Sequence, residues 1–423
     1  MKVSVFWFRR DLRLEDNVGL HHALKSGMPI VPIFIFDENI LDDLPVDDPR
    51  VNFIYDELKE IHIRLQRFDS GLHIFYGQPI DIWEQIVDQF EIAQVFCNRD
   101  YEPYAHKRDA EVEEFLQSKG IQLKQYKDQV IFEEFDVVKD DGTPYTVYTP
   151  YMKKWKTTYA ENPPKKLSAN NYNHLYPGVK PFPTKQALNI KDSGIKVLPA
   201  DFSRLKNYQK NRDIPEFDTT GLGPHLRFGT VSIRKIFEML GDKHETFQNE
   251  LIWREFFMQI LFHYPKSVKQ NFKRKYDQVD WRNNTSEFEK WCQGKTGYPM
   301  VDAGMRQLNE TGYMHGRARM ITASFLVKHL LVDWRWGEAY FAKKLLDFEL
   351  ASNVGNWQWV AGTGCDAAPY FRIFNPIEQQ KKFDPKKLYI NKWIPELEKK
   401  SYPKPMVEHK IARERCLKAY RIN

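Results

Sequence analysis

Residues 353–376, NVGNWQWVAGTGCDAAPYFRIFNP, set Trp357 and Trp359 one residue apart, ahead of a run of small residues and then Pro369-Tyr370-Phe371-Arg372. Two large oxidisable rings beside so permissive a backbone suit one of two purposes. They pack a core around a tight turn, or they face a ligand that is flat, aromatic and electronically active. Just upstream, Asp347, Glu349 and Asn353 fall within one or two turns of the pair. A carboxylate, an amide and an indole so placed can surround a heteroaromatic ring with varied hydrogen bonds. Asn353, with Gly355 two residues on, also reads as a helix C-cap.

Three further stretches carry chemistry. In NELIWREF, Glu250, Trp253 and Arg254 stand at i, i+3 and i+4 and share one helix face. They pack as a salt-bridged core, or they meet a base, with Trp253 stacking and Arg254 on phosphate. In TTGLGPHLRFGTVSIRK, Thr219, Thr220, Gly221 and Gly223 precede a helical segment, with Arg227 and Arg234 near by. Such a loop offers N–H groups and hydroxyls to a phosphate, or simply caps the helix. In MHGRARM, Gly316 admits close backbone approach, and Arg317 and Arg319 point to different sides of a helix.

The elements that must position these residues follow from pattern. KVSVFWF, PIVPIFIFD, LHIFYGQ, AQVFCNRD and IQLKQY read as short buried strands, with helical segments such as PRVNFIYDELKEIHIRLQRF and EPYAHKRDAEVEEFLQSKG between them. Repeated βα units predict an α/β domain over residues 1–130, a doubly wound, Rossmann-like parallel sheet. No GxGxxG follows the first strand, which argues against a dinucleotide there. Residues 131–200, rich in Pro, Tyr, Asn and Lys, read as a long connecting segment draped over a surface. From 201 to 423 the spacing is helical, as in NELIWREFFMQILFHY and ARMITASFLVKHLLVDW, and predicts an all-α domain.

Charge divides the chain in the same place. Residues 1–130 hold 15 Lys+Arg against 24 Asp+Glu, and the remainder 48 against 33. Eight of the 11 tryptophans lie between Trp253 and Trp393, in the basic part. Basic charge with interleaved aromatics is how proteins grip a phosphate backbone and stack bases, although lysine-rich surface alone would give the charge. No apolar run is long enough to span a membrane, and the N-terminus turns charged too early for a signal peptide. Cys97, Cys292, Cys365 and Cys416 are scattered without CxxC, which argues against a disulfide framework or a zinc site and predicts a reducing, cytoplasmic setting.

Taken in order, VFWFRRDLRLEDN, YQKNRDIP, ELIWREF, KTGYPMVDAGMRQL, MHGRARMITASFLVKHLLVDWRWGE and the tryptophan segment resemble the DNA photolyase/cryptochrome family over nearly the whole chain. They are most similar to its class I cyclobutane pyrimidine dimer photolyases. The resemblance implies FAD, held in a U shape in the helical domain. Tyr208, Thr219, Thr220, Gly221, Leu222 and Gly223 would hold its phosphates. Arg319, Asp347 and Glu349 would line the isoalloxazine and adenine side, and Asn353 would sit opposite the flavin N(5). Light-excited reduced flavin would pass one electron to a dimer flipped out of UV-damaged DNA, and recover it once the ring has split. Trp253 and Trp359 would clamp the dimer, Glu250 would bind its carbonyl edge, and Met320 would line the same pocket. Trp357 would begin a hopping chain through Trp334 to Trp281 that reduces oxidised flavin. Arg212, Arg254, Arg317 and Arg372 would contact phosphates or edge the pocket, and a monomer is expected.

Departures from the family pattern are Gly316, where Asn is frequent, Glu349 for a shorter Asp, and Gly223 for Ser. In YEPYAHKRD, Tyr104 and Ala105 replace the amide and carboxylate of folate-binding relatives, which argues against folate held in that mode; for a second, antenna chromophore in the front domain the alternatives are a deazaflavin, a flavin mononucleotide or an empty cleft. The alternatives are a cryptochrome-type photoreceptor and a (6-4) photolyase. A third is a flavoprotein that binds DNA structurally.

Overall fold

Strand β1, Val3–Phe8, is buried along its whole length, and so is β2, Ile30–Asp37. A strand covered on both faces cannot alternate polar with apolar, which is why both read as continuous apolar runs. With β3 (His73–Gly77), β4 (Ile92–Asn98) and β5 (Gln122–Tyr126) they form one parallel sheet of order β3-β2-β1-β4-β5. All five predicted strands are present. The register pairs Val5 with Val31 on one side and with Val95 on the other. Alternate residues still choose a face. Phe6, Phe8, Phe34, Phe36 and Phe96 pack under α1 (Val18–Leu24) and α3 (Pro49–Gln66). Val3, Val5, Trp7, Ile33 and Val95 pack under α4 (Pro79–Gln89) and α5 (Pro103–Ser118). A short α2, Glu38–Leu41, follows β2. The sheet is therefore doubly wound, as expected.

The computed structural model describes residues 1–168 and 171–422. Ala169 and Asn170 of the predicted connecting segment, and Asn423 of the predicted helical domain, lie outside the described residues. The segment 131–200 is more regular than its composition suggests, because it contains the 14-residue helix α6, Tyr148–Glu161. Its proline-rich flanks hide the helix from a pattern search.

The chain packs as two compact units. One comprises Met1–Asp136, Trp155–Val197 and Gly223–Lys243; the other comprises Val137–Lys154, Leu198–Leu222 and His244–Asn423. This differs from a linear division at residues 130 and 200. The reason lies in α8 (Leu222–Phe228) and α9 (Ile233–Leu240), most of whose residues join the α/β unit. There Leu12 N donates to Phe228 O at 3.1 Å, and Arg234 pairs with Asp128 at 2.8 Å.

The second unit is helical. Its elements are α7 (Tyr208–Asn211), α10 (Glu245–His263), α11 (Thr285–Cys292), α12 (Pro299–Thr311), α13 (Gly316–Ser324), α14 (Trp334–Lys344), α15 (Leu350–Ala361), α16 (Pro376–Phe383), α17 (Leu388–Trp393) and α18 (His409–Ala419). A π-helical turn, Phe325–Leu330, continues α13. Its core joins Trp291, Met300, Met305, Phe325, Trp334, Phe341 and Trp357. Helices α10 and α15 approach closely because Gly355 has no side chain: a Cβ there would overlap the Phe257 ring. No helix among the described residues is long and apolar enough to cross a membrane.

Candidate functional site

Helix α10 carries Glu250, Trp253 and Arg254 on one face, as the spacing predicts, yet the three meet different neighbours. Arg212, at the C-terminal end of α7, pairs with Glu250. Burial raises the Glu250 pKa, with the Arg212 guanidinium opposing the rise. Arg254 lies inward and donates to Glu349 at 3.1 Å, both side chains being nearly covered. Breaking a buried pair costs about 3–5 kcal/mol because the remaining charge is uncompensated. Arg254 is therefore built into the packing, and an exposed phosphate contact does not describe it. Trp253 is half-buried and has Tyr148 stacked on it at 3.6 Å between ring centroids and 7° between planes.

On α15, positions 357 and 359 fall on opposite sides of the helix. Trp357 is 2 % exposed and sits edge-on to Phe341 at 4.9 Å and to Trp291 at 6.2 Å. Trp359 is half-buried at the edge of the same core. Trp334 is fully buried, its indole N–H donating to Asn271 Oδ1 at 2.8 Å. Trp281 is half-buried, edge-on to Tyr420 at 5.9 Å.

Asn353 lies inside α15, not at its end; the left-handed C-cap is Gly362. The C-cap reading fails because the helix runs on through both tryptophans. The Asn353 amide donates from Nδ2 to the Glu338 backbone carbonyl at 3.1 Å and to Glu338 Oε1 at 2.8 Å. With its NH2 held by two acceptors, the amide keeps its oxygen for whatever lies beside it. Burial raises the Glu338 pKa, and the bond from Asn353 opposes this.

On α13, Arg317 and Arg319 take different partners, as expected. Arg317 pairs with Asp213 at 2.7 Å and lies over the Phe383 ring, while Arg319 pairs with Asp347 at 2.8 Å. Asp347 uses only Oδ2 for this; Oδ1 is buried without a partner. Met320, also on α13, is half-buried. Thr219 shares a hydrogen bond with Tyr313, and the Thr220 hydroxyl accepts from Leu222 N at 3.4 Å across Gly221, whose φ is +65°. Gly223 belongs to the other unit. A cavity of about 420 Å³ is lined by Tyr208, Arg212 and Thr219, together with Arg204, Asn207 and Asn211. Arg372 is exposed, in the loop after α15.

Comparison with known proteins decides what this arrangement belongs to. The family model for DNA photolyase matches residues 4–168, and that for the FAD binding domain of DNA photolyase matches residues 247–401. A deoxyribodipyrimidine photo-lyase of Synechococcus sp. is 35% identical, over 98% of this chain and 95% of its own. The chain belongs to the DNA photolyase family. Two solved photolyases share its fold. A bacterial class III photolyase from Agrobacterium tumefaciens has a TM-score of 0.87 at 31% identity, covering 99% of this chain and 97% of its own. An archaeal photolyase from Sulfolobus tokodaii, described with two FAD molecules, has a TM-score of 0.83 at 33% identity, covering 99% of each chain.

The residues fit FAD. The unpartnered Asp347 Oδ1 is an acceptor suited to a ring N–H, the Asn353 oxygen is a second, and the Thr219–Leu222 turn offers hydroxyls and N–H groups to phosphate. In the α/β unit a folate held by an amide and a carboxylate does not fit. Ala105 is a buried methyl, and the Tyr104 hydroxyl is bonded to Asp37 at 2.6 Å.

Sequence reasoning missed Tyr148, Asp213, Asn271, Tyr313 and Glu338. Each is paired with its site residue across the fold, Asp213 with Arg317, although Asp213 also adjoins Arg212 in sequence. The one local signal was that adjacent Arg-Asp pair in KNRDIP.

Proposed function

We propose that this chain is a light-driven lyase that splits cyclobutane pyrimidine dimers in UV-damaged DNA, working as a cytoplasmic monomer with FAD in its helical unit. The observation that carries the reading is the division of α15: Trp357 inside the core, Trp359 at its edge, and Asn353 held by Glu338 one turn before. The chemistry that bound, reduced FAD supplies is light-driven donation of one electron to the dimer, with its return after the ring opens.

The protein's own residues bind and orient. Tyr208, Thr219, Thr220, Gly221 and Leu222 would hold the phosphates, with Gly223 continuing that turn in sequence. Asp347, fixed by Arg319, would accept from the flavin ring, and Asn353 would present its oxygen towards N(5). Glu349 would act on this site through its pair with Arg254. Trp253 and Trp359 would clamp the flipped dimer, Met320 would line its pocket, and Glu250, steadied by Arg212, would take its carbonyl edge. Arg372 in its exposed loop would meet phosphate, and Arg317 would brace the pocket edge through Asp213. Trp281, Trp334 and Trp357 run from half-buried to fully buried, the order expected of a chain that carries an electron inward. Four free cysteines among the described residues accord with a reducing compartment.

The test is a repair assay. Reduced, FAD-loaded protein is incubated with an oligonucleotide carrying one thymine cyclobutane dimer, in blue light and in darkness. Intact thymines should return only in light. No repair by fully reduced, FAD-loaded protein would overturn the reading and favour a photoreceptor.

A further inference from the structure

Tyr148 lies outside every motif that the sequence singles out, yet it connects the two segments that carry the aromatic walls of the dimer pocket. We propose that Tyr148 is a positioning residue for damage recognition: it sets the ring plane of Trp253 and ties the Trp253 helix to the loop that follows Trp359. The inference rests on the clamp reading above and extends it to a residue that touches no substrate.

Three contacts carry it. The Tyr148 ring lies flat on Trp253, 3.6 Å between centroids and 7° between planes. Its hydroxyl donates to the Asn249 carbonyl at 2.8 Å, one turn before Trp253 on α10. Its backbone N–H donates to Asp366 Oδ2 at 3.0 Å, seven residues after Trp359. Asp366 has φ of +45°, a conformation costly for a residue with a Cβ unless its surroundings hold it. The bond from Tyr148 is one such hold. Phe256 meets Tyr148 at 5.9 Å and Trp253 at 5.5 Å, edge-on to both, and closes the cluster from the core side.

The consequence is geometric. With Tyr148 stacked on Trp253 and Phe257 tilted against it at 5.4 Å, the part of the indole that stays exposed is what can meet a pyrimidine, and the ring enters binding with its rotamer already chosen. A half-buried tryptophan without that backing would have to be ordered by the DNA itself, which weakens binding. Tyr148 is 8 % exposed, and burial, with the Glu250 carboxylate adding, raises its phenol pKa. The hydroxyl therefore stays protonated and keeps donating.

The experiment measures, in the dark and with FAD-loaded protein, the Kd for an oligonucleotide with one thymine dimer and for the same oligonucleotide undamaged. Tyr148→Leu keeps apolar volume but no aromatic face. It should raise the dimer Kd about two- to tenfold, the range of a lost aromatic stack, with undamaged binding unchanged. Tyr148→Phe restores the stack and should recover most of that loss. Added to Trp253→Ala, Tyr148→Leu should cost nothing more, because its effect passes through Trp253. Equal weakening for both oligonucleotides, no rescue by Phe, or full additivity with Trp253→Ala would overturn the proposal. If Tyr148→Leu yields no FAD-loaded protein, Asp366→Asn decides. It weakens the tie to Tyr148 and should raise only the dimer Kd; an unchanged ratio of the two Kd values overturns the proposal. Should Trp253→Ala itself leave dimer binding untouched, the clamp reading fails, and that outcome is separate from any result at Tyr148.

Discussion

Trp334 and Trp357 lie wholly inside the helical core, whereas Trp359 at its edge and Trp253 beside Tyr148 are half-buried. The inner pair is fixed on all sides. Trp334 is tied through its N–H to Asn271, and Trp357 is hemmed by Phe341 and Trp291. The outer pair keeps part of its surface exposed. An indole that relays an electron gains from a dry, rigid setting; an indole that grips a base needs a face left open. The two proposed kinds of work call for opposite burial, and α15 offers both settings because positions two apart point to opposite sides.

That contrast can be broken most sharply at Trp357. Trp357→Phe should abolish light-driven reduction of oxidised FAD, followed by bleaching of its absorbance, while chemically reduced protein repairs as before. Loss of both would mean that the inner ring is needed for the pocket as well. Acid tests the inner region as a whole. His329, fully buried in the π-helical turn, is held down to about 3 by burial, with His409 and Arg415 adding to the effect. The unfolded chain takes up this proton near pH 6.5 and the folded chain near 3. Stability is complete above about 6.5 and falls as pH drops through that window, by up to about 1.4 kcal/mol per pH unit. Urea unfolding at neutral and acid pH, with His329→Gln flattening the slope, checks it.

Smaller effects separate the two pairs further. Trp359→Ala should lose about 1–3 kcal/mol of affinity for dimer-containing DNA and leave photoreduction intact. Gly337→Ala should do the reverse. A Cβ there overlaps the Trp357 ring, so the core must shift at a cost of about 1–3 kcal/mol in thermal or denaturant unfolding, with dimer affinity preserved. The mildest change is Gly316→Asn. Nothing lies within 4 Å of a Cβ at Gly316, so stability should stay within about 0.5 kcal/mol. The added amide should tighten dimer binding by up to about 1 kcal/mol if Gly316 borders the pocket, as its place beside Arg317 suggests. Unchanged affinity would remove Gly316 from the pocket edge.

The sheet was legible because strands buried on both faces become runs of Val, Ile and Phe, and all five appear where those runs stand. The face of α10 was legible from spacing, since Glu250, Trp253 and Arg254 repeat at one helical turn. What each does was not. Arg254 faces Glu349, 95 residues away, and no local pattern encodes such a partner. Asn353 read equally well as a helix end, because a glycine two residues on is a stop signal only where the chain actually turns. Helix α6 escaped notice amid Pro and Lys, and with it Tyr148. The units interleave for the same reason: Gly223–Lys243 is helical in pattern, but its partners lie in the α/β unit.

The sequence by itself determined the two kinds of unit, the strands, the helix faces and the family, because these depend on periodicity and on short ordered motifs. Tertiary structure alone decided which arginine is exposed, which tryptophan is sealed, which oxygen of Asp347 lacks a partner and which ring backs Trp253. Those properties belong to pairs of residues far apart in the chain, and burial and hydrogen bonding exist only once folding has brought the pairs together.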